Sequence, residues 1–307
     1  LHHSGCARFT ADECIGFEAR LSIMAKRIAI LLHKNESRFS LPRFAIWHLA
    51  QVWREEDIRV IFLFGIKKFV PADLAILHVD LTVVPEPYIE FAHRYPLVLN
   101  GNSRDIRKST FSRHMVKAGD GYEGPVLVKS ELNYGGAPER KLLGSFASRL
   151  SMRITTRFSS LRSGSQKSKV LFRSPMDYRI FDNICAVPEN WRKRDDILIE
   201  QFLPEREDGL YCLRNYHFLG RHGVCVLRRA PSPIVNISTV IDRREVEPAA
   251  EIVEAASKIG LDFGKLDYVL HDGRPVLLDV NKTPGAGKSA SYPAMSRVWA
   301  KGIKQYL

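Results

Sequence analysis

Unbroken apolar runs alternate with amphipathic stretches along the first hundred residues. "RIAILLH" (27–33), "RVIFLFG" (59–65) and "LAILHVD" (74–80) have the continuous hydrophobicity of strands covered on both faces. Between and after them, "LPRFAIWHLAQVWREE" (41–56) and "EPYIEFAHRY" (86–95) repeat apolar positions at three and four, which predicts helices; "PLVLNG" (96–101) predicts a short strand. Strands alternating with helices imply a parallel α/β unit, Rossmann-like in layout, over residues 24–102. No G-x-G-x-x-G follows any of these strands, so a dinucleotide is not expected there.

The pattern then changes. "SRDIRKSTFSRHMVKAG" (103–119) predicts a helix capped by Ser103, and "GPVLVKS" (124–130) a strand that runs into the glycine loop "ELNYGGAPE". From Arg140 to Arg173 there are nine basic residues and no acidic one. Within this span Leu142, Phe146, Leu150, Ile154 and Phe158 recur every four beside a stripe of Arg149, Arg153 and Arg157, which predicts a basic amphipathic helix over 140–162 before the loop "RSGSQKS". "ILIEQFLPE" (197–205), "LYCLRNYHFLG" (210–220) and "GVCVLRRA" (223–230) predict further strands, and "PAAEIVEAASKIG" (248–260) a helix ended by Gly260. The expected units are an extension (1–23), the α/β unit (24–102), a central unit (103–198) and a C-terminal unit (199–307).

The last alternating stretch, "GKLDYVLHDGRPVLLDVNKTPG" (264–285), is a hairpin that carries carboxylates where a half-buried face is expected. A two-residue Asp272-Gly273 loop with regular pairing would set Asp267 and Asp279 on opposite faces. A three-residue His271-Asp272-Gly273 loop pairs Lys265 with Asp279, Asp267 with Leu277 and Leu270 with Arg274, so that Lys265, Asp267, Asp279 and Asn281 share one face. Three oxygen-bearing side chains and a cation suit magnesium on phosphate oxygens. The plainer reading is a solvated polar face with a Lys265–Asp279 pair.

Composition narrows the partners. The chain has 307 residues, 45% hydrophobic and 26% charged, with 46 Lys plus Arg against 34 Asp plus Glu, a formal charge of +12. The charge favours anionic partners, among them nucleotides, acidic metabolites, nucleic acid and membrane surfaces. No apolar run reaches the length of a membrane span. The five cysteines, Cys6, Cys14, Cys185, Cys212 and Cys225, have no C-x-x-C spacing, so neither a zinc site nor a disulfide framework is expected and a reducing cytoplasm is the simpler setting. "LHHSGCARFTADECIGFEARLSI" precedes Met24, lacks the apolar core of a secretory signal, and reads as an extension outside the functional argument.

In order and spacing, Lys108, Lys129 with "NYGG", Glu200 in "ILIEQFLPE" and the Asp267/Asp279/Asn281 hairpin resemble the ATP-grasp superfamily, which includes D-alanine–D-alanine ligase, glutathione synthetase and other carboxylate–amine ligases. The resemblance covers roughly Ser103 to Lys288, after an α/β domain like the one such ligases carry. It implies an α/β (α+β) fold with ATP bound between two antiparallel sheets. Lys108 and Lys129 would meet the α- and β-phosphates, and Gly135 and Gly136 would bring backbone N–H groups close to phosphate and let the loop close as a lid. Adenine would lie against Glu200, Gln201, Phe202 and Leu203, with ribose on Glu207 or its neighbour Asp208. Asp267, Asp279 and Asn281 match the ligands of one or two Mg2+ ions, for which Mn2+ is an admissible substitute. Lys265 stands where many relatives have an arginine on the transferred phosphoryl group, with Arg228 or Arg229 as a second cation. Many relatives have glutamate where Asp279 stands, and the shorter side chain weakens the bridging of two ions.

The implied reaction is ATP-dependent ligation of a small-molecule or peptide carboxylate to an amine through an acyl phosphate, releasing ADP and phosphate. The alternatives are a phosphotransferase of the same superfamily and a non-catalytic nucleotide- or nucleic-acid-binding protein on the same scaffold. Lys282, Lys288 and Ser289 are candidate contacts for an anionic substrate; Lys282 and Lys288 read equally as solvated. His271, in the turn, reads as exposed rather than catalytic. The basic segment 140–173 reads as a packed insertion or as a platform for an acidic partner or membrane surface, nucleic acid is not an expected partner, and a homo-oligomer is left open.

Overall fold

A computed structural model describes residues 26–144, 171–286 and 292–307. The parallel unit forms as the pattern predicts. Strands β1 (Arg27–Leu32), β2 (Arg59–Phe64), β3 (Leu74–Leu77) and β4 (Val98–Leu99) make one parallel sheet in the order β2-β1-β3-β4. Helix α1 (Ala45–Glu55) buries Ile46, Leu49, Val52 and Trp53 against one face, and α2 (Glu86–Ala92) covers the other with Tyr88, Ile89 and Phe91. Burial on both faces explains why the strands read as continuous apolar runs.

Residues 103–119 depart from the expected helix. Only α3 (Lys108–Phe111) is helical, and Ser103 is buried without capping it. The segment instead gives its backbone to β-structure: Val83 bridges Asp105, Met115 bridges Glu200, and the Val116 N–H donates to the Ile199 carbonyl. Backbone partners at Ile199 and Glu200 and around Val83 outweigh local helix propensity.

Two antiparallel sheets follow. The smaller has the order β6-β5-β7, from β6 (Arg179–Phe181), β5 (Val126–Ser130) and β7 (Ile197–Gln201). Val126 and Val128 point into a core with Val116, Phe172 and Ile184, which turns Lys129 to the opposite face. The larger runs β11-β10-β9-β12-β13, with β8 (Glu205–Glu207) beside β9 (Leu210–Leu219). Its other strands are β10 (His222–Ala230), β11 (Asp242–Val246), β12 (Phe263–His271) and β13 (Arg274–Asn281). Tyr216, Phe218, Cys225, Leu266, Tyr268 and Val280 pack one face against Ile252 and Ala256; on the other face Leu219 and Phe263 join the core of the parallel unit, and the Leu278 carbonyl receives Lys129 of the smaller sheet.

Helix α4 (Ala137–Leu143) follows the glycine loop, α5 (Glu189–Arg192) precedes β7, and α6 (Ala250–Ile259) ends at Gly260 in the left-handed conformation, as expected. Helix α7 (Tyr292–Ala300) returns to the parallel unit, where the Trp53 Nε1–H donates to the Ala300 carbonyl at 2.9 Å. Asn100 ties the units together: its side chain accepts from the Asp262 and Phe263 N–H groups and donates to the Phe263 carbonyl, fixing where β12 starts. The basic helix beyond Leu143, the extension 1–23, Lys288 and Ser289 lie outside the described residues. Among the described residues Cys185, Cys212 and Cys225 are unpaired thiols, and no helix is long and apolar enough to cross a membrane.

The loop "NYGG" holds three successive left-handed residues, Tyr134 (φ 47°), Gly135 (φ 64°) and Gly136 (φ 71°). A Cβ on Gly135 would lie 2.6 Å from the Arg173 backbone carbon, so glycine is required there for space as well as for φ. Gly135→Ala is expected to lower stability by about 1–3 kcal/mol in denaturant titration. Gly285→Ala, whose Cβ would meet nothing closer than 3.6 Å, should change it by less than about 0.5 kcal/mol.

Candidate active site

The hairpin reaches its shared face by a route other than the one expected. The turn is the two-residue Asp272-Gly273, both with positive φ (49° and 75°), and His271 stands opposite Arg274. Tyr268 pairs with Leu277 but Asp267 with Asp279, so Leu278 is an extra residue, a β-bulge. The bulge shifts the alternation by one: Leu277 and Val280 enter the core, whereas Asp279 and Asn281 join Asp267 and Lys265 in the cleft. The three-residue loop is thus corrected and the common face retained. Lys265 pairs with Asp267 (2.7 Å) and stands opposite Asn281, in place of the Lys265–Asp279 pair.

Asp279 instead receives Lys108, 2% exposed, at 3.1 Å. Burial works against the ammonium's charge, but Asp279, followed by Tyr178 and Glu200, outweighs it and holds the Lys108 pKa above its ordinary value. Lys129 forms an ion pair with Glu200, both side chains 3% exposed, and donates to the bulged Leu278 carbonyl at 2.8 Å. Three carboxylates therefore meet three ammonium groups near the seam between the two sheets, and of the three pairs Lys108–Asp279 is the one that crosses it.

Sheet order adds residues that the sequence reading missed. Val226, Asn215, Asp267 and Asp279 lie in one row across β10, β9, β12 and β13; Val224, His217, Lys265 and Asn281 form the next. Asn215, 1% exposed, donates to Asp267 Oδ1 at 2.5 Å and orients that carboxylate. His217 is buried edge-on against Trp299; burial, with Lys265 and Arg228 adding to it, holds its imidazole pKa well below the usual value. Arg228 and Arg229, adjacent on β10, point to opposite faces. Arg229 is held by Asp242 and Asp208 away from the cleft, while Arg228 faces it, half-buried. In sequence, "NYH" in β9 carries no signal of this role until its neighbours are known.

The other expected residues separate. Glu207 is taken by Arg244 (2.7 Å), and Asp208 is the positive-φ turn residue between β8 and β9, with its carboxylate on Arg229. The Gln201 N–H donates to the His114 carbonyl and the Phe202 N–H to the Pro125 carbonyl; Leu203 follows, half-exposed. Lys282 is corrected: it is neither solvated nor on the cavity surface. At 1% exposure its ammonium contacts the Thr82, Ser103 and Arg104 carbonyls at 3.1–3.5 Å, locking the end of β13 to the parallel unit. Burial, against Asp105, Glu139 and Asp80, pushes its pKa down to about 7.

A cavity of about 1080 Å³ lies between the parallel unit and the cleft face of the larger sheet. Arg43, Asp80 and Lys141 line one side, Lys265, Asn281 and Arg228 the other, and Tyr134 stands at the glycine loop. Glu36 accepts from Arg43 (3.0 Å) and Lys141 (2.6 Å), and Asp80 accepts from Thr283 at 2.7 Å. For a magnesium ion the donor chemistry fits: two carboxylates and an amide are hard oxygen ligands, and Asp279 Oδ1 is buried with only the Lys108 ammonium beside it. Among the described residues no group of three or more His, Cys, Asp or Glu side chains forms a metal-holding cluster.

No protein-family model and no curated protein matches the chain. Among solved structures it is similar to D-alanine–D-alanine ligase from Bacillus anthracis (13% identity, 92% of this chain and 96% of that one, TM-score 0.47). It is also similar to an ATP-grasp RimK domain protein from Sphaerobacter thermophilus (12%, 91% and 98%, TM-score 0.48) and to the macrocyclase MdnC of Microcystis aeruginosa, bound with its precursor peptide (8%, 90% and 98%, TM-score 0.41). This chain's own fold is mixed α/β, with one parallel and two antiparallel sheets. What the site does is argued from its own side chains.

Lys282 generates a test. Its folded-state pKa is depressed, so between pH 7 and about 10.4 the unfolded chain binds the extra proton, and stability rises with pH in that window. Denaturant titrations from pH 7 to 10 should show a contribution with a slope of up to about 1.4 kcal/mol per pH unit. Lys282→Met should remove that slope.

Proposed function

We propose that this chain is an ATP-grasp enzyme that joins a carboxylic acid to an amine at the expense of ATP. One observation carries the reading: Lys108, on the helix flanking the smaller sheet, meets Asp279 of the bulged hairpin at 3.1 Å, and Lys129 of the smaller sheet donates to the bulged Leu278 carbonyl, on a hairpin whose Lys265 and Asn281 line the cavity. Lys108 and Lys129 are suited to the α- and β-phosphates, with the glycine loop over them and adenine along Gln201–Leu203. Asp267, Asp279 and Asn281 would hold magnesium, which supplies charge neutralisation to the phosphates. Their present lysine partners would exchange onto phosphate as the nucleotide binds, so no carboxylate is left uncompensated.

In the first step a substrate carboxylate oxygen attacks the γ-phosphorus, the bond to the β-phosphate oxygen breaks, and ADP leaves with that electron pair. Lys265 stands where the transferred group's negative charge would spread. Asn215 keeps Asp267 turned into the cleft. In the second step the amine nitrogen attacks the acyl carbon, gives up a proton and expels phosphate. Closure of the loop around Tyr134 would exclude water from the acyl phosphate. The reducing cytoplasm suggested by the thiols is part of this proposal.

Incubation with MgATP and pooled carboxylic acids and amines should release ADP together with a condensed product detectable by mass. A phosphorylated product without condensation would assign a phosphotransferase. Asp267→Asn is expected to cut ADP release by at least about 100-fold, the scale of removing one preorganised charge partner from a transition state. Turnover unchanged in that variant would remove the site assignment. Asn215→Ala should lower kcat about 10-fold with thermal stability retained, as expected of a positioning residue.

A further inference from the structure

The acceptor cavity has a second charged end. Arg228 on β10 and Arg243 on β11 are directly opposite each other in the register, and both line the cavity. Like charges placed opposite across a sheet are unfavourable. Among the described residues neither guanidinium makes an ion pair, although the neighbouring Arg229 and Arg244 are both held by carboxylates. Glu245 shares the face of Arg243 without pairing to it. Burial, opposed by Asp267 and reinforced by Arg243, lowers the Arg228 pKa. Two uncompensated guanidiniums on one wall are the arrangement that binds a carboxylate or phosphate oxygen pair.

The source of that anion follows from strand spacing. Strands lie about 4.8 Å apart, and the order β11-β10-β9-β12-β13 sets β11 three strands, roughly 14 Å, from β12. A phosphoryl group held at Asp267 and Asp279 is too far off for Arg243 to share. The segment joining the two arginine strands adds an apolar rim: Ile237 and Ile241 are 73% and 66% exposed, and with Val240 they line the same cavity. Exposed isoleucines beside an unpaired arginine couple suit a ligand that is apolar along its length and anionic at its far end.

Resting on the ligase reading, we propose that the acid activated here is an extended dianion: one carboxylate at Lys265 and Asn281 is phosphorylated, and a second anionic group is held by Arg228 and Arg243, with Arg228 two strands across and four residues along from the Lys265 row, roughly 16 Å between backbone positions, and with an apolar segment against Val226 and the rim of Ile237, Val240 and Ile241. The probes are decanedioate, whose extended chain suits the space left once the long Lys265 and Arg228 side chains reach in from its two ends, with decanoate and butanedioate as controls. Binding is measured by calorimetry on the full chain, with and without Mg2+ and a non-hydrolysable ATP analogue. Decanedioate should bind at least ten times more tightly than either control, and Arg243→Gln should abolish that preference without changing the affinity for the nucleotide analogue. Equal affinity for the three acids, or no binding of decanedioate, overturns the proposal. Weakened nucleotide binding in Arg243→Gln also overturns it, because the pair would then belong to the triphosphate. Failure of the nucleotide alone to bind would count against the ligase reading, while the diacid preference is read separately in its absence.

Discussion

Charge closure where two sheets meet, with Lys108–Asp279 and the Lys129 contact to the Leu278 carbonyl as the links that cross, is the constraint on which this molecule turns. Asp267, Asp279 and Glu200 come from the larger sheet and β7, and each is met by one ammonium group, from Lys265, Lys108 and Lys129. The Lys129–Glu200 pair is almost fully withdrawn from water, and removal of one member of such a pair typically costs about 3–5 kcal/mol. No carboxylate at the seam can be spared without leaving a cation unpaired. A cluster balanced in this way can exchange partners, carboxylates to a divalent cation and lysines to phosphates, at little net cost in charge. The same balance gives the fold a reason to keep expensive groups in its interior.

A single inserted residue makes the balance geometrically available. Without the bulge at Leu278, regular pairing from the Asp272-Gly273 turn would point Asp279 into the core occupied by Tyr216, Leu266 and Ile252. With it, the carbonyl of the bulged residue becomes the acceptor for Lys129, so the irregularity that aims one carboxylate also anchors the opposing sheet. Asn100 and Lys282 do related work at the other boundary, where they hold the start of β12 and the end of β13 to the parallel unit.

The parallel unit was legible because burial on both faces leaves a run that nothing else in the chain imitates. The lysines and the aspartates were legible as types in order, through their resemblance to a known pattern. The register was not: a bulge and a three-residue turn place the same residues on one face, and alternation alone does not distinguish them. The helix expected at 103–119 failed because that segment's hydrogen bonds go to Ile199 and Gln201, partners far along the chain. Asn215, His217 and Arg243 escaped for a similar reason, since only the order of strands in the larger sheet brings them beside Asp267, Lys265 and Arg228. Strand β11, "DRREV", is four-fifths charged and gave no hydrophobic signal at all.

The central claim is that the hairpin carboxylates hold a divalent cation against the phosphates of ATP. The most direct measurement is calorimetric titration of the full chain with ATP at saturating Mg2+ and again in excess EDTA. The account predicts saturable binding that weakens at least 10-fold when the metal is withdrawn, and an Asp279→Asn chain that binds weakly and equally under both conditions. ATP bound with the same affinity with and without Mg2+, or not bound at all, would contradict it.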